Sequence, residues 1–145
     1  MFQFEIRSSY DLIPDYDYYR LGIDHAIRKA GGGIDVDEVM QAIHRDEVYV
    51  YDIIEERSLM GFVVLAETTQ RYADLTTLHV DFAFLMNPGQ GVQKLYESLP
   101  QFAKELGFDR IAFRSKRKGW AKFCEVTGFD GDTRVYYKEL TDGNG

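Results

Sequence analysis

In the run LHVDFAFLMNPGQG, residues 78–91, two kinds of chemistry meet. His79 and Asp81 are two residues apart, so on a strand they share one face. An imidazole titrates near neutral pH and can take a proton from a substrate. A strand histidine can equally be a satisfied structural residue, and the spacing alone leaves both readings open. The apolar segment Val80, Phe82, Phe84, Leu85 then turns through Asn87-Pro88-Gly89-Gln90-Gly91. A helical pattern follows, with Val92, Leu95, Tyr96, Leu99, Phe102, Ala103 and Leu106 at steps of three and four. Such a turn aims backbone N–H groups and the positive end of a helix dipole at one spot, which suits a phosphate. Glycine is needed where backbone packs against a phosphate without room for Cβ. The same glycines also suit an ordinary tight turn.

Other reactive side chains are sparse. His25 and His44 lie in helical, charged surroundings, and the three histidines are too scattered to suggest a metal site. The single cysteine, Cys124, can form neither an internal disulfide nor a zinc cluster, which points to a reducing, cytoplasmic setting. Arg114, Lys116, Arg117, Lys118 and Lys122 fall close together, as a solvated helix start or as a local anion site.

The totals narrow the class. A chain of 145 residues with 45% hydrophobic and 14% aromatic content can bury a real core. Residues 1–140 read as one domain, and 141–145 as a flexible polar tail. The net charge of −7 argues against sequence-independent nucleic-acid binding by the whole surface. Residues 1–56 hold 13 Asp/Glu against 5 Lys/Arg, suited to drawing a cation or simply to solubility and helix capping. No window approaches a membrane span, and the acidic N-terminal segment lacks the pattern of an export signal.

The elements that must position these residues follow from periodicity. Phe2 to Ile6 alternates as a strand. Tyr19, Ile23, Ala26, Ile27 and Ala30 share a helical face that Gly31-Gly32-Gly33 ends. Asp35 with Glu38 reads as a capping box for a second helix, burying Val36, Val39, Met40 and Ile43. Val48 to Ile54 and Met60 to Thr69 form strands around a polar connection, Glu55 to Ser58. Leu75 to Met86 is the next strand. Pro100 predicts a kink or a restart in the helix after the glycines. Arg110 to Arg114 reads as a strand, Trp120, Phe123, Cys124 and Thr127 as a short helix, and Thr133 to Leu140 as a last strand. The order is β-α-α-β-β-β-α-β-α-β, an α/β (α+β) mixed sheet with helices on its faces.

This order resembles the GNAT superfamily of acyl-CoA-dependent N-acetyltransferases. The family's phosphate loop, Gln/Arg-x-x-Gly-x-Gly/Ala, aligns with Met86 to Gly91. Both glycines match, and Met86 stands at the leading polar position. The resemblance implies a mostly antiparallel central sheet and acetyl-CoA as cofactor, with no metal. Asn87, Gly89, Gln90, Gly91 and Val92 would hold the diphosphate. Phe82, Phe84 and Leu85 would lie along the pantetheine, which pairs like an extra strand. Where the family places a glutamate base, this strand offers His79 and Asp81. Cys124, four residues before Gly128, stands where the family's tyrosine acid would be, and a thiol near 8.5 could serve as well as a phenol near 10.

A closer likeness is to short GNAT-like proteins of tailed bacteriophages, carried by Lys29 to Asp35 and by Arg117-Lys118-Gly119-Trp120-Ala121. It implies transfer of acetyl to a protein amine or a modified nucleobase. Two alternatives stay open: an inactive protein acting in a virion or on a host protein, and a DNA-base-modifying enzyme. A homodimer is compatible with the strand edges, though no feature selects one.

Overall fold

The structure, a computed structural model, describes residues 1–69, 75–89 and 91–113. The first strand, β1, is Gln3–Arg7. A single 3₁₀ turn at Ile13–Asp15, which the periodicity did not announce, leads into α1, Tyr16–Lys29. Tyr19, Gly22, Ile23 and Ile27 are its buried stripe. Gly31, Gly32 and Gly33 all have positive φ (104°, 76° and 87°), a run that residues with a Cβ avoid. They end the helix as expected. Asp35 then caps α2, Val36–His44, but its carboxylate accepts from Asp37 N (2.9 Å), one residue short of the capping-box partner.

Strands β2 (Tyr49–Glu55) and β3 (Ser58–Thr69) leave only Glu56 and Arg57 as the turn between them. Both sit at positive φ (51° and 67°), the geometry of a two-residue hairpin turn achieved here without glycine. Strand β4 is Thr76–Leu85 and helix α3 is Gly91–Glu105. Helix α3 runs unbroken through Pro100, so no restart occurs there. The last described strand, β5, is Arg110–Phe113. The predicted helix around Trp120 and the strand Thr133 to Leu140 lie outside the described residues.

The sheet order is β1-β2-β3-β4-β5, with every pair antiparallel except β4–β5. This is the mixed, mostly antiparallel sheet expected from the sequence. One face carries Val50, Phe62 and Val64 against Tyr19, Ile23 and Ile27 of α1 and Met40 and Ile43 of α2. Phe82 and Phe84 pair with Val64 and Phe62 and pack against the same cluster. On the opposite face, Tyr51 and Phe4 meet the Phe102 ring of α3 at 5.0 and 4.7 Å. Each fully buried apolar side chain of this kind contributes about 1.5–3 kcal/mol. Among the described residues, no helix is long and apolar enough to cross a membrane.

Asp52 is fully buried, and its charge is satisfied from two elements. Arg7 Nε donates to it at 2.6 Å and Tyr19 Oη at 2.8 Å, tying β1, β2 and α1 together. Burial, and then the bond to Asp52, pushes the Tyr19 phenol up. The folded state therefore holds this proton more tightly than the unfolded chain does. The linked stability is complete below the ordinary phenol range, near 10, and is lost as pH rises above it. Thermal melts from about pH 8 to pH 11 are expected to show a falling Tm. Tyr19→Phe should flatten part of that fall, with Tyr18 and Tyr51, also pushed up by burial, carrying the rest. An unchanged slope would remove Tyr19 from this account.

Candidate active site

The irregularity in β4 decides the local geometry. Val64 pairs with Phe82 while its neighbour Leu65 pairs with Val80, so Asp81 is an extra residue. Such a bulge bends the strand and re-aims side chains. His79 pairs with Ala66 on β3 and with Ala112 on β5, two small neighbours. By alternation it shares the sheet face of Val64, the face covered by α1 and α2. The His79 Nδ1 lies 2.8 Å from Asp81 Oδ1, and both side chains are about one-quarter to one-third exposed (26% and 30%). The two residues are thus brought together as their spacing suggested, with one ring nitrogen engaged. Among the described residues, His79 Nε2 has no hydrogen-bond partner.

Beyond the bulge, Phe82 and Phe84 pack against the core cluster and stay partly exposed. Phe84 lies near the rings of Phe62 (5.5 Å), Tyr18 (6.1 Å) and His25 (5.9 Å), which places His25 against the core's edge. The β4–β5 pairing covers Thr77 to Val80 against Arg110 to Phe113. Among the described residues, Phe82 to Leu85 pair on the β3 side alone, and Asp81 pairs on neither side.

The strand ends where Met86 N donates to Met60 O at 3.0 Å. Gly61, next along β3, makes this close approach feasible. A Cβ there would lie 2.0 Å from Phe84 O, and φ is +155°. The turn then passes through Asn87, Pro88 and Gly89 to Gly91, the first residue of α3. Val92 N donates to Pro88 O at 3.2 Å and closes the turn. The amides of Asn87, Gly89 and Gly91 have no partner among the described residues. A Cβ built on Gly89 would meet nothing within 4 Å, and one on Gly91 only Leu85 Cδ1 at 3.4 Å. No acid sits in the first turn of α3, so its positive end is uncompensated by its own helix. Unpaired amides, open space above glycine and a bare helix start fit a diphosphate. Met86 itself is 45% exposed beside them. Gln90 and Cys124 lie outside the described residues.

Lys94, on the first turn of α3, is already committed. Its Nζ contacts both Glu55 oxygens at 2.7 and 3.1 Å and sits 5.3 Å from the Phe2 ring centroid. The bond from Lys94 holds the Glu55 carboxyl below the usual carboxylate range. Some acids of the first half are likewise engaged. Asp24 pairs with Arg28, Asp37 with Arg20, and Asp35 caps α2. Among the described residues, no group of three metal-ligating side chains occurs. Two features were invisible to periodicity: the bulge at Asp81, and the buried Tyr18 hydroxyl that lacks a partner among the described residues.

No family model and no curated protein matches this sequence. Solved structures do match its fold. A probable acetyltransferase is 14% identical at TM-score 0.67, with 97% of this chain and 99% of that chain covered. An aminoglycoside acetyltransferase from an uncultured soil metagenomic sample, bound to sisomicin, is 18% identical at TM-score 0.58 (87% and 86% covered). A GNAT family acetyltransferase of Staphylococcus aureus is 10% identical at TM-score 0.54 (81% and 88% covered). The architecture is therefore that of the GNAT acetyltransferases.

Proposed function

We propose that this chain binds acetyl-CoA at the Asn87–Gly91 turn and transfers acetyl to an amine. The reading is carried by one observation: three unpartnered amides and an open glycine at the start of an uncompensated helix, directly after β4. Acetyl-CoA supplies a thioester, whose C–S bond breaks as the amine nitrogen forms an amide. Amides of Asn87, Gly89 and Gly91 donate to the diphosphate, as Gln90 does in the family pattern. The free edge of Asp81 to Leu85 orients the pantetheine. His79 takes a proton from the acceptor's ammonium, freeing the lone pair that attacks the thioester carbon, and Cys124 is assigned the return of a proton to the departing thiolate. The acceptor is a protein amine or a modified nucleobase. A cytoplasmic setting belongs to this proposal on the single cysteine, phage origin on the sequence resemblance, and a homodimer on the strand edges.

Calorimetry with acetyl-CoA tests it. Wild type should bind, and Gly89→Glu should weaken binding at least tenfold, with a modest fall in Tm because φ of +20° at Gly89 disfavours a side chain. The new side chain would stand in open space and bring a negative charge to the anion site. Absence of heat from wild type at millimolar ligand would end the enzyme reading.

A second reading, a GNAT-fold protein that engages a partner without turnover, is favoured by Met86. Its exposed apolar side chain stands where the family's loop begins with a polar residue. Binding of acetyl-CoA without acetyl transfer to any polyamine or peptide amine is the outcome that selects it.

A further inference from the structure

We infer that Asp81 is a positioning residue: displaced by the β4 bulge onto His79 Nδ1, it locks the imidazole as the Nδ1–H tautomer and leaves Nε2 to receive the proton. This deepens the acetyl-transfer reading and, for its catalytic part, rests on it.

Three observations carry the assignment. An ionised carboxylate only accepts hydrogen bonds, so the 2.8 Å contact requires Nδ1 of a neutral ring to be the donor. The proton-accepting lone pair of that ring is then on Nε2, which no described residue engages. The second observation is the register shift itself. Asp81 has no cross-strand partner on β3, because Val64 takes Phe82 and Leu65 takes Val80. The inserted residue is therefore free of the ladder's alternation, and its carboxylate turns back along the strand. The third is the pair of alanines, Ala66 and Ala112, flanking His79 across both neighbouring strands. Neither side chain is long enough to cover the ring, so the dyad keeps its partial exposure within a sheet. A carboxylate behind the ring also offsets the positive charge that appears on the imidazole as it accepts a proton.

In the transfer step the acceptor's N–H bond breaks toward Nε2, the ring becomes an imidazolium, and Asp81 retains its own charge. Without Asp81, a neutral histidine in water favours the opposite tautomer, and Nε2 would carry a hydrogen where the lone pair is needed.

Isotope-edited imidazole NMR at about pH 8, where an ordinary imidazole is neutral, tests this without any substrate. His79→Ala identifies the signal. Wild type should show the Nδ1–H form, and Asp81→Ala should move His79 toward the Nε2–H form. In acetyl-transfer assays Asp81→Ala should lower kcat roughly tenfold or more, with KM for acetyl-CoA unchanged. A wild-type ring in the Nε2–H form, or identical His79 signals in the two proteins, would overturn the assignment. The first of these results needs no variant to fold. If the spectra behave as expected but wild type moves no acetyl, the enzyme reading falls while the Asp81–His79 coupling stands.

Discussion

Replacing His79 with alanine should lower kcat for acetyl transfer about 10²–10⁴-fold, the range that a positioned general base supplies. The effect should fall on kcat, because His79 lies on the strand before the bulge, while the amides proposed to hold the diphosphate lie after it. KM for acetyl-CoA should therefore stay close to wild type, and calorimetry should give the same affinity for both proteins. The alanine also fits the site, since its neighbours across the sheet are the small residues Ala66 and Ala112. Stability should thus change by less than about 1 kcal/mol, as for substitutions away from the core. Thiol release from acetyl-CoA, followed with a polyamine or a peptide amine as acceptor, measures the rate. A variant with wild-type kcat would leave cofactor positioning as the protein's only contribution.

The second large effect concerns folding. Gly61→Ala should destabilise the protein by about 4 kcal/mol or more, at the exceptional end for single substitutions. The added Cβ would come within 2.0 Å of Phe84 O and 2.9 Å of Leu85 Cα, both backbone atoms that cannot rotate aside. In addition, φ of +155° is strained for any residue with a side chain. Relief requires β3 and β4 to separate where Met86 N bonds Met60 O, and that point launches the glycine turn. Even a fraction that folds should bind acetyl-CoA more weakly. Urea denaturation monitored by circular dichroism gives the free energy, and a loss under about 1 kcal/mol would show that the strands part cheaply. Gly89 provides a partial contrast: the space around its missing Cβ is empty, so a side chain there meets only the backbone strain of φ +20°.

How much of this was legible beforehand differs by element. The buried stripes of α1 and α2 follow a period of three and four, and Tyr19, Ile23, Ile27, Met40 and Ile43 are buried accordingly. Alternation likewise found β1 to β5. The β2–β3 turn was read as four residues because Glu56-Arg57 lacks the Asn-Gly signal that marks such turns, yet the paired strands force both into positive φ. At Pro100, propensity suggested a kink or restart. Burial of Leu95, Tyr96, Leu99 and Ala103 along one side keeps the segment a single helix. The Arg7–Asp52–Tyr19 cluster had no sequence signature, since its members are far apart along the chain.

By itself the sequence determined which residue types line the glycine turn, that a strand precedes it and a helix follows it, and that His79 and Asp81 ride the same strand. These are local properties, set by side-chain periodicity and by the steric freedom of glycine. Only the tertiary structure decided that an extra residue falls at Asp81, that its carboxylate meets one nitrogen of His79, and that Lys94 belongs to Glu55. The reason is physical. A bulge exists only relative to the register of a neighbouring strand, and an ion pair between positions 55 and 94 exists only once β2 and α3 are packed.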